Sequence, residues 1–413
     1  MIIAFGMLFV YNTKNTKNEV LIVSAYLISI EVLMRMTGDM FFNEFAKYGV
    51  ILFMIMGMFF SGFSKNSLPY WFFLLLLIPG VILSTVTLSL EADIRKAIAF
   101  NIAGPVCLGI ASIYCYRRRI TFAELNAIII AFAMPLVSLL TYLFLYNPSV
   151  RDVVTGTSSN FATSGGFGPN QVSTILGLGM FVFFALFLLN SKSKFLFGVH
   201  ALLTMAATYR GLVTFSRGGV YTGILMIIVF LIVVYLTSNK KTKARVGGIA
   251  GITVLSAILV WGYSSYQTNG LIEKRYANQD AIGRVKEDKL GGRERIAITE
   301  IQMFLDNPLL GIGVGKNKEY REETTGIVAA SHNEITRMLA EHGSLGIAAL
   351  LILLATPLIL YLDNKANIYV LPFFIFWLLT INHAAMRTAA PAFVYALSLL
   401  KVYTNEKPSL HRE

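Results

Sequence analysis

Apolar blocks follow one another along this chain, most of them separated by short polar gaps. Read as helices able to cross ~30 Å of hydrocarbon, they fall at Glu19–Met36, Phe42–Phe63, Leu68–Leu90, Ala97–Tyr116, Thr121–Tyr146 and Gln171–Asn190. The series continues at Phe195–Leu212, Val220–Leu236, Val246–Tyr263, Leu345–Leu362, Ile368–His383 and Ala390–Val402. That predicts about twelve crossings, with Met1–Tyr11 short enough to be a partial or interfacial segment. The alternating segments of a membrane β-barrel are absent. One polar gap is long, from about Ser265 to Gly343. The expected fold is therefore an all-α polytopic membrane protein: a transmembrane bundle over 1–264, a polar loop with two amphipathic helices over 265–342, and transmembrane helices plus a tail over 343–413.

Composition agrees. Hydrophobic residues make up 55% of the 413 and charged residues 14%, against roughly 25% charged in a soluble domain. The formal charge of +12 is no nucleic-acid signal, because the basic residues cluster in short loops as the positive-inside rule requires. Arg117–Arg119, Lys192 with Lys194, Lys240–Arg245, Asp363–Lys365 and the tail from Lys401 fall on one side, the cytoplasmic one. The island, Arg217 and Arg387 then face outward, away from ATP and soluble nucleotide-sugars. Cys107 and Cys115 lie eight positions apart in one helix, ~12 Å of rise and too far for a disulfide. No cleavable signal peptide is expected, since Met1–Val10 lacks a basic start.

Chemistry concentrates in the polar segments. Ser331-His332-Asn333-Glu334 reads as a capping box with Ser331 as N-cap, Ile335, Met338 and Leu339 as an apolar stripe, and Gly343 as the stop. His332 in the first turn would feel the positive end of the helix and stay neutral, ready to accept a proton; the plainer alternative is a surface histidine. His342, at the other end, reads as a cap. Arg293 follows Gly291-Gly292, where backbone can approach a ligand and a helix start offers free N–H groups; otherwise it is a rim arginine. Arg217, in Ser216-Arg217-Gly218-Gly219, sits between apolar helices with no acid in the sequence from Asp152 to Glu273. It either snorkels to the interface or binds an anion. Arg210 competes with it, and Arg387 adds to the outward cations. Gly311-Ile312-Gly313-Val314-Gly315 lacks the context of a nucleotide loop and reads as a flexible loop. No His, Cys and carboxylate cluster has metal-ligand spacing, so neither metal nor cofactor is expected.

The order of Phe167-Gly168-Pro169-Asn170, Ser216-Arg217-Gly218-Gly219, Gly292-Arg293, Asn307-Pro308-Leu309-Leu310-Gly311, Ser331-His332-Asn333-Glu334 and Glu341-His342-Gly343 resembles the O-antigen ligase and polymerase superfamily of bacterial envelope proteins. The resemblance implies a GT-C-like bundle with a large periplasmic loop, in the bacterial inner membrane, its site facing the periplasm. It implies a metal-independent, inverting glycosyltransferase that takes a glycan from undecaprenyl diphosphate and joins it to a sugar hydroxyl. Carried onto this sequence, Arg217 and Arg293 would hold the diphosphate and His332 would activate the acceptor. Arg210, Arg387, Arg337, Asn333 and Asn170 are secondary candidates for the diphosphate site. The implied partners are the lipid-linked donor, a glycan or lipid A-core acceptor, membrane lipids and other envelope polysaccharide assembly proteins, with no nucleic acid. Ligase chemistry is preferred, a repeat-unit polymerase is the alternative, and a flippase or transporter of polyprenyl-linked glycan stands further off. A purely structural assembly subunit leaves Arg217 unexplained.

Overall fold

The computed structural model describes all residues except 90, 92, 287–291, 327, 385 and 404–413. Gly291 of the glycine–arginine motif and the tail beyond residue 403 thus lie outside the described residues. The chain runs through α1 (Ile2–Thr13), α2 (Glu19–Thr37), α3 (Phe45–Ser61), α4 (Leu68–Thr87), α5 (Ile94–Cys115), α6 (Phe122–Leu145) and a single turn, α7 (Val150–Val153). Then come α8 (Pro169–Leu189), α9 (Lys194–Leu212), α10 (Arg217–Thr237) and α11 (Lys240–Gln267). The polar island holds α12 (Leu271–Tyr276), α13 (Arg293–Asp306) and α14 (Asn317–Thr325). The last helices are α15 (Glu334–Asp363), α16 (Val370–Thr380) and α17 (Ala390–Leu397).

Among the described residues eight helices are long and apolar enough to cross a membrane: α2, α4, α5, α6, α8, α10, α11 and α15. The polytopic all-α expectation holds, and the four expected crossings outside that set, at α3, α9, α16 and α17, miss it by regular helix length or composition alone. α3 is cut to 17 residues, and α9 carries Lys194, His200 and Arg210 along its 19. The expected crossings Ile368–His383 and Ala390–Val402 become α16, 11 residues, and α17, eight residues. At 1.5 Å per residue these helices reach ~16 and ~12 Å, well under the ~30 Å core. The chain turns back between them, where the buried Glu31 carboxylate of α2 accepts the Ala389 N–H at 2.8 Å. An all-apolar run hides such a turn, because burial on every side erases the helical period.

The two ends of the bundle sort as the basic loops suggested. Arg117 pairs with Asp363 at 3.0 Å, and β1 (Arg119–Thr121) pairs in parallel with β2 (Lys401–Tyr403), Ile120 opposite Val402. At the other end Thr157 donates to the Gln279 carbonyl and Ser89 to Glu319. α5, 22 residues and ~33 Å long, runs between the ends.

α15 changes direction at Gly343, whose φ of 58° and ψ of −137° break the helix without ending it. Gly343 is therefore a kink and not the expected stop. The loop after α13 fills the break. Ile312 and Gly313 donate to the Ala340 and Glu341 carbonyls at 2.9 and 3.2 Å. Gly315 donates to the Glu341 carboxylate at 2.9 Å, and Val314 to the Gly80 carbonyl of α4 at 3.1 Å. Ile312 and Val314 are buried. The glycine-rich stretch is thus a packed strap and not the flexible loop expected, because it supplies N–H donors to carbonyls that the kink would otherwise leave buried and unmet. His342 does not cap a helix end; it is buried against Gly80.

A Cβ at Gly343 would stand 2.7 Å from the Gly311 nitrogen and the Leu309 carbonyl. Gly343→Ala is therefore expected to cost about 1–3 kcal/mol from backbone strain, before counting that contact. Thermal unfolding in detergent should show a lower midpoint; an unchanged midpoint would mean the strap does not depend on the kink.

Candidate functional site

α10 begins tightly seated. Ser173 of α8 donates to the Ser216 carbonyl at 2.7 Å, and Ser216 donates to Asn170 Oδ1 at 2.8 Å. A Cβ at Gly219 would lie 2.0 Å from the Ser173 carbonyl, and one at Gly218 would lie 2.6 Å from the His383 ring. The two glycines therefore let α10 close on α8 and on the turn after α16. This fixes Arg217 as the first residue of α10, and its Nη1 donates to the Arg275 carbonyl at 3.4 Å. Arg275 in turn donates from Nε to the Phe215 carbonyl at 2.9 Å.

Arg293 opens α13 after Gly292, which takes a φ of 78° to start the helix. His332 lies before α15 rather than inside it. Asn333, not Ser331, caps that helix, accepting from the N–H groups of Ile335 and Thr336 at 2.8 and 3.4 Å. The expected capping box therefore does not form: Ser331 donates to the Asn333 carbonyl and Glu334 pairs with Arg337. The short asparagine side chain reaches the free N–H groups from two residues nearer and wins the position. Arg387 donates to the Ser331 carbonyl at 3.0 Å, and the Glu334 N–H donates to the Ile381 carbonyl at 2.8 Å. These bonds bring the histidine segment against the α16–α17 turn.

The arginines of this end act on one another. Burial holds the Arg293 guanidinium below its usual value, with Arg217 adding to the effect. Arg275 is lowered by burial and then by Arg217 and Arg293, and Arg387 by burial and then by Arg293 and Arg337. His332 falls from 6.5 to about 4, chiefly by burial, then by Arg387, Arg293 and Arg321. Its ring is neutral, as the sequence suggested, but burial and a cationic field cause this, not a helix terminus. Neither ring nitrogen makes a hydrogen bond among the described residues, and Nδ1 is buried. Arg217, Arg293, His332 and Arg387 thus come together from four distant parts of the chain.

The other secondary candidates are occupied. Arg210 is buried in the last turn of α9, donating to the Thr163 carbonyl at 2.8 Å with its guanidinium 5.5 Å from the Phe144 ring centroid. Arg337 is held between Glu334 and Glu341, the latter at 2.8 Å. Asn333 is committed to capping and Asn170 to Ser216. Sequence reasoning missed Arg275, which looked like ordinary island polarity, and His383, hidden at the end of an apolar run. His383 faces the Leu379 carbonyl through Nδ1 and Thr174 through Nε2, each at 3.0 Å. Its signal was Gly218, a residue with no room for a side chain.

Residues 201–351 match the family model described as O-Antigen ligase. The match runs from α9 through the island to the middle of α15 and supports the resemblance to the O-antigen ligase superfamily. No curated protein and no solved structure matches the chain.

Because burial, reinforced by the cationic field, opposes its protonation, His332 should stay acylable as the pH falls through 6.5 and lose reactivity only near 4. Diethyl pyrocarbonate labelling of the ligand-free protein, read by peptide mass spectrometry, measures this. A midpoint at or above 6.5 would mean the arginines do not face the ring.

Proposed function

We propose that this protein is a membrane glycosyltransferase of the O-antigen ligase type, moving a glycan from a polyprenyl diphosphate to an acceptor sugar hydroxyl. The observation that supports it most is the convergence of Arg217, Arg275 and Arg387 on Arg293, with Arg293 and Arg387 in turn acting on a neutral His332. Guanidinium groups that raise one another's energy are suited to an anion with several oxygens, and a diphosphate supplies one. In this reading Arg217 and Arg293 hold the diphosphate, with Arg275 and Arg387 completing the cationic wall.

The reaction balances as a single displacement. The acceptor oxygen attacks the anomeric carbon, the bond from that carbon to the phosphate oxygen breaks, and the electron pair leaves with the diphosphate. The acceptor proton passes to His332. Attack opposite the leaving group inverts the anomeric centre. In the empty site the imidazole is too weak a base, at about 4. Arrival of a multiply charged anion offsets the arginine field and raises the ring toward the range where a general base works best. Donor binding would thus switch the base on. The developing charge on the leaving diphosphate is met by donors already in place.

In this reading the protein lies in the bacterial inner membrane and the site, at the end of the bundle opposite the basic loops, faces the periplasm, in keeping with the positive-inside rule. A polymerase joining repeat units would use the same groups; only the acceptor differs.

Protein reconstituted with polyprenyl-diphosphate-linked oligosaccharide and two acceptors, a lipid A-core and a second repeat unit, tests this reading. Arg217→Ala and Arg293→Ala should each lower transfer by about 10²–10³-fold. His332→Ala should stop turnover while donor binding persists, and chelators should leave the rate unchanged. Product on the lipid core identifies a ligase and product on the repeat unit a polymerase. Undiminished transfer by His332→Ala would remove it as the base, and transport of the donor without transfer would overturn the enzyme assignment.

A further inference from the structure

The segment carrying His332 has no helix or strand of its own: the described residues from 328 to 333 belong to neither. No backbone ladder fixes the segment at His332, so side chains do much of the holding. Two of them, Glu300 of α13 and Arg321 of α14, form an ion pair at 2.6 Å with both side chains fully buried. The free ends of that pair reach the histidine segment on either side of the ring. Arg321 Nη1 donates to the Ala329 carbonyl, three residues before His332. Glu300 Oε2 accepts from the Thr336 hydroxyl at 2.6 Å, four residues after it. Arg321 Nε also donates to Thr299 Oγ1 at 3.1 Å, which fixes the plane of the guanidinium.

The same helix delivers Arg293. Glu300 lies seven residues along α13 from it, two turns on and so on the same side of the helix. One rigid element therefore presents an arginine to the cluster and grips the strand that holds the base. A buried ion pair is weak evidence for stability, since apolar residues of similar size often serve as well. What it supplies is a fixed geometry, because each atom of the pair can be satisfied in one arrangement.

We propose that Glu300 and Arg321 are positioning residues, a bracket that sets His332 relative to Arg293. This rests on the reading of His332 as the general base. Neither residue touches the reacting atoms; they act through the backbone at Ala329 and the hydroxyl of Thr336.

The test uses full-length protein in proteoliposomes with polyprenyl-diphosphate-linked oligosaccharide and the acceptor that it glycosylates. Thr336→Val removes the hydroxyl and keeps the shape, Thr336→Ser keeps the hydroxyl, and Glu300→Gln removes the charge. Thr336→Val and Glu300→Gln should lower kcat by about 10- to 100-fold, the penalty of a small misplacement, with KM for the donor within about twofold. Thr336→Ser should restore the wild-type rate. In Thr336→Val the diethyl pyrocarbonate midpoint of His332 should move up toward 6.5 as the ring leaves its buried, cationic surroundings. Wild-type kcat and an unshifted midpoint in Thr336→Val would overturn the bracket, and so would equal impairment of Thr336→Val and Thr336→Ser. If His332→Ala transfers normally, the base assignment fails instead. The labelling midpoint in Thr336→Val still decides, independently of activity, whether the bracket holds the ring. Should Glu300→Gln not fold, Thr336→Val carries the test alone.

Discussion

Positive charges do not gather in a protein unless something holds them against their repulsion, and here the holding is done in two different ways. Arg321 and Arg337 are buried with carboxylates, so their charge is cancelled where it stands. Arg275 and Arg387 are held by backbone carbonyls, which satisfy N–H donors while leaving most of the positive field in place. Arg217 gives one of its donors to a carbonyl in the same manner. The same residue type thus divides into structural members and field-producing members according to its partner. An anion-binding site needs the second kind, and the first kind anchors the elements that carry it.

Those elements come from separate regions of the chain and would not meet without the breaks between them. α15 kinks at Gly343 so that its first turns lie over the bundle while the rest enters it, and the strap from Gly311 to Gly315 closes the gap. α16 and α17 are joined by a turn at the opposite end from β2, which leaves Arg387 facing Ser331. Glu31 secures that turn at Ala389, and Arg35 beside it donates to the Arg387 carbonyl at 3.4 Å.

The sequence made the membrane class and the two ends of the bundle legible, and it drew attention to Arg217, Arg293 and His332, because hydrophobic run length and basic-loop placement are one-dimensional signals. Arg217 stood out for the same reason, as a cation set in an apolar stretch. What the sequence hid depends on competition between neighbours. Ser331 matched the capping pattern, yet Asn333 lay closer to the free N–H groups. Gly343 matched a stop, yet a strap from elsewhere made a kink affordable. Arg337 and Arg293 look alike in sequence; only the fold reveals that the first sits between two glutamates. His383 and Arg275 carried no pattern at all, since their significance lies in what the turn after α16 and the start of α10 bring beside them.

The small parallel pairing of Arg119–Thr121 with Lys401–Tyr403 joins segments separated by most of the chain. On a ribosome the later strand emerges long after the helices around the earlier one. The hairpin that presents Arg387 hangs from that strand. Biosynthesis therefore leaves Arg387 without its place opposite Ser331 until the α16–α17 turn has been made, and a nascent chain stalled before that turn would lack this contact.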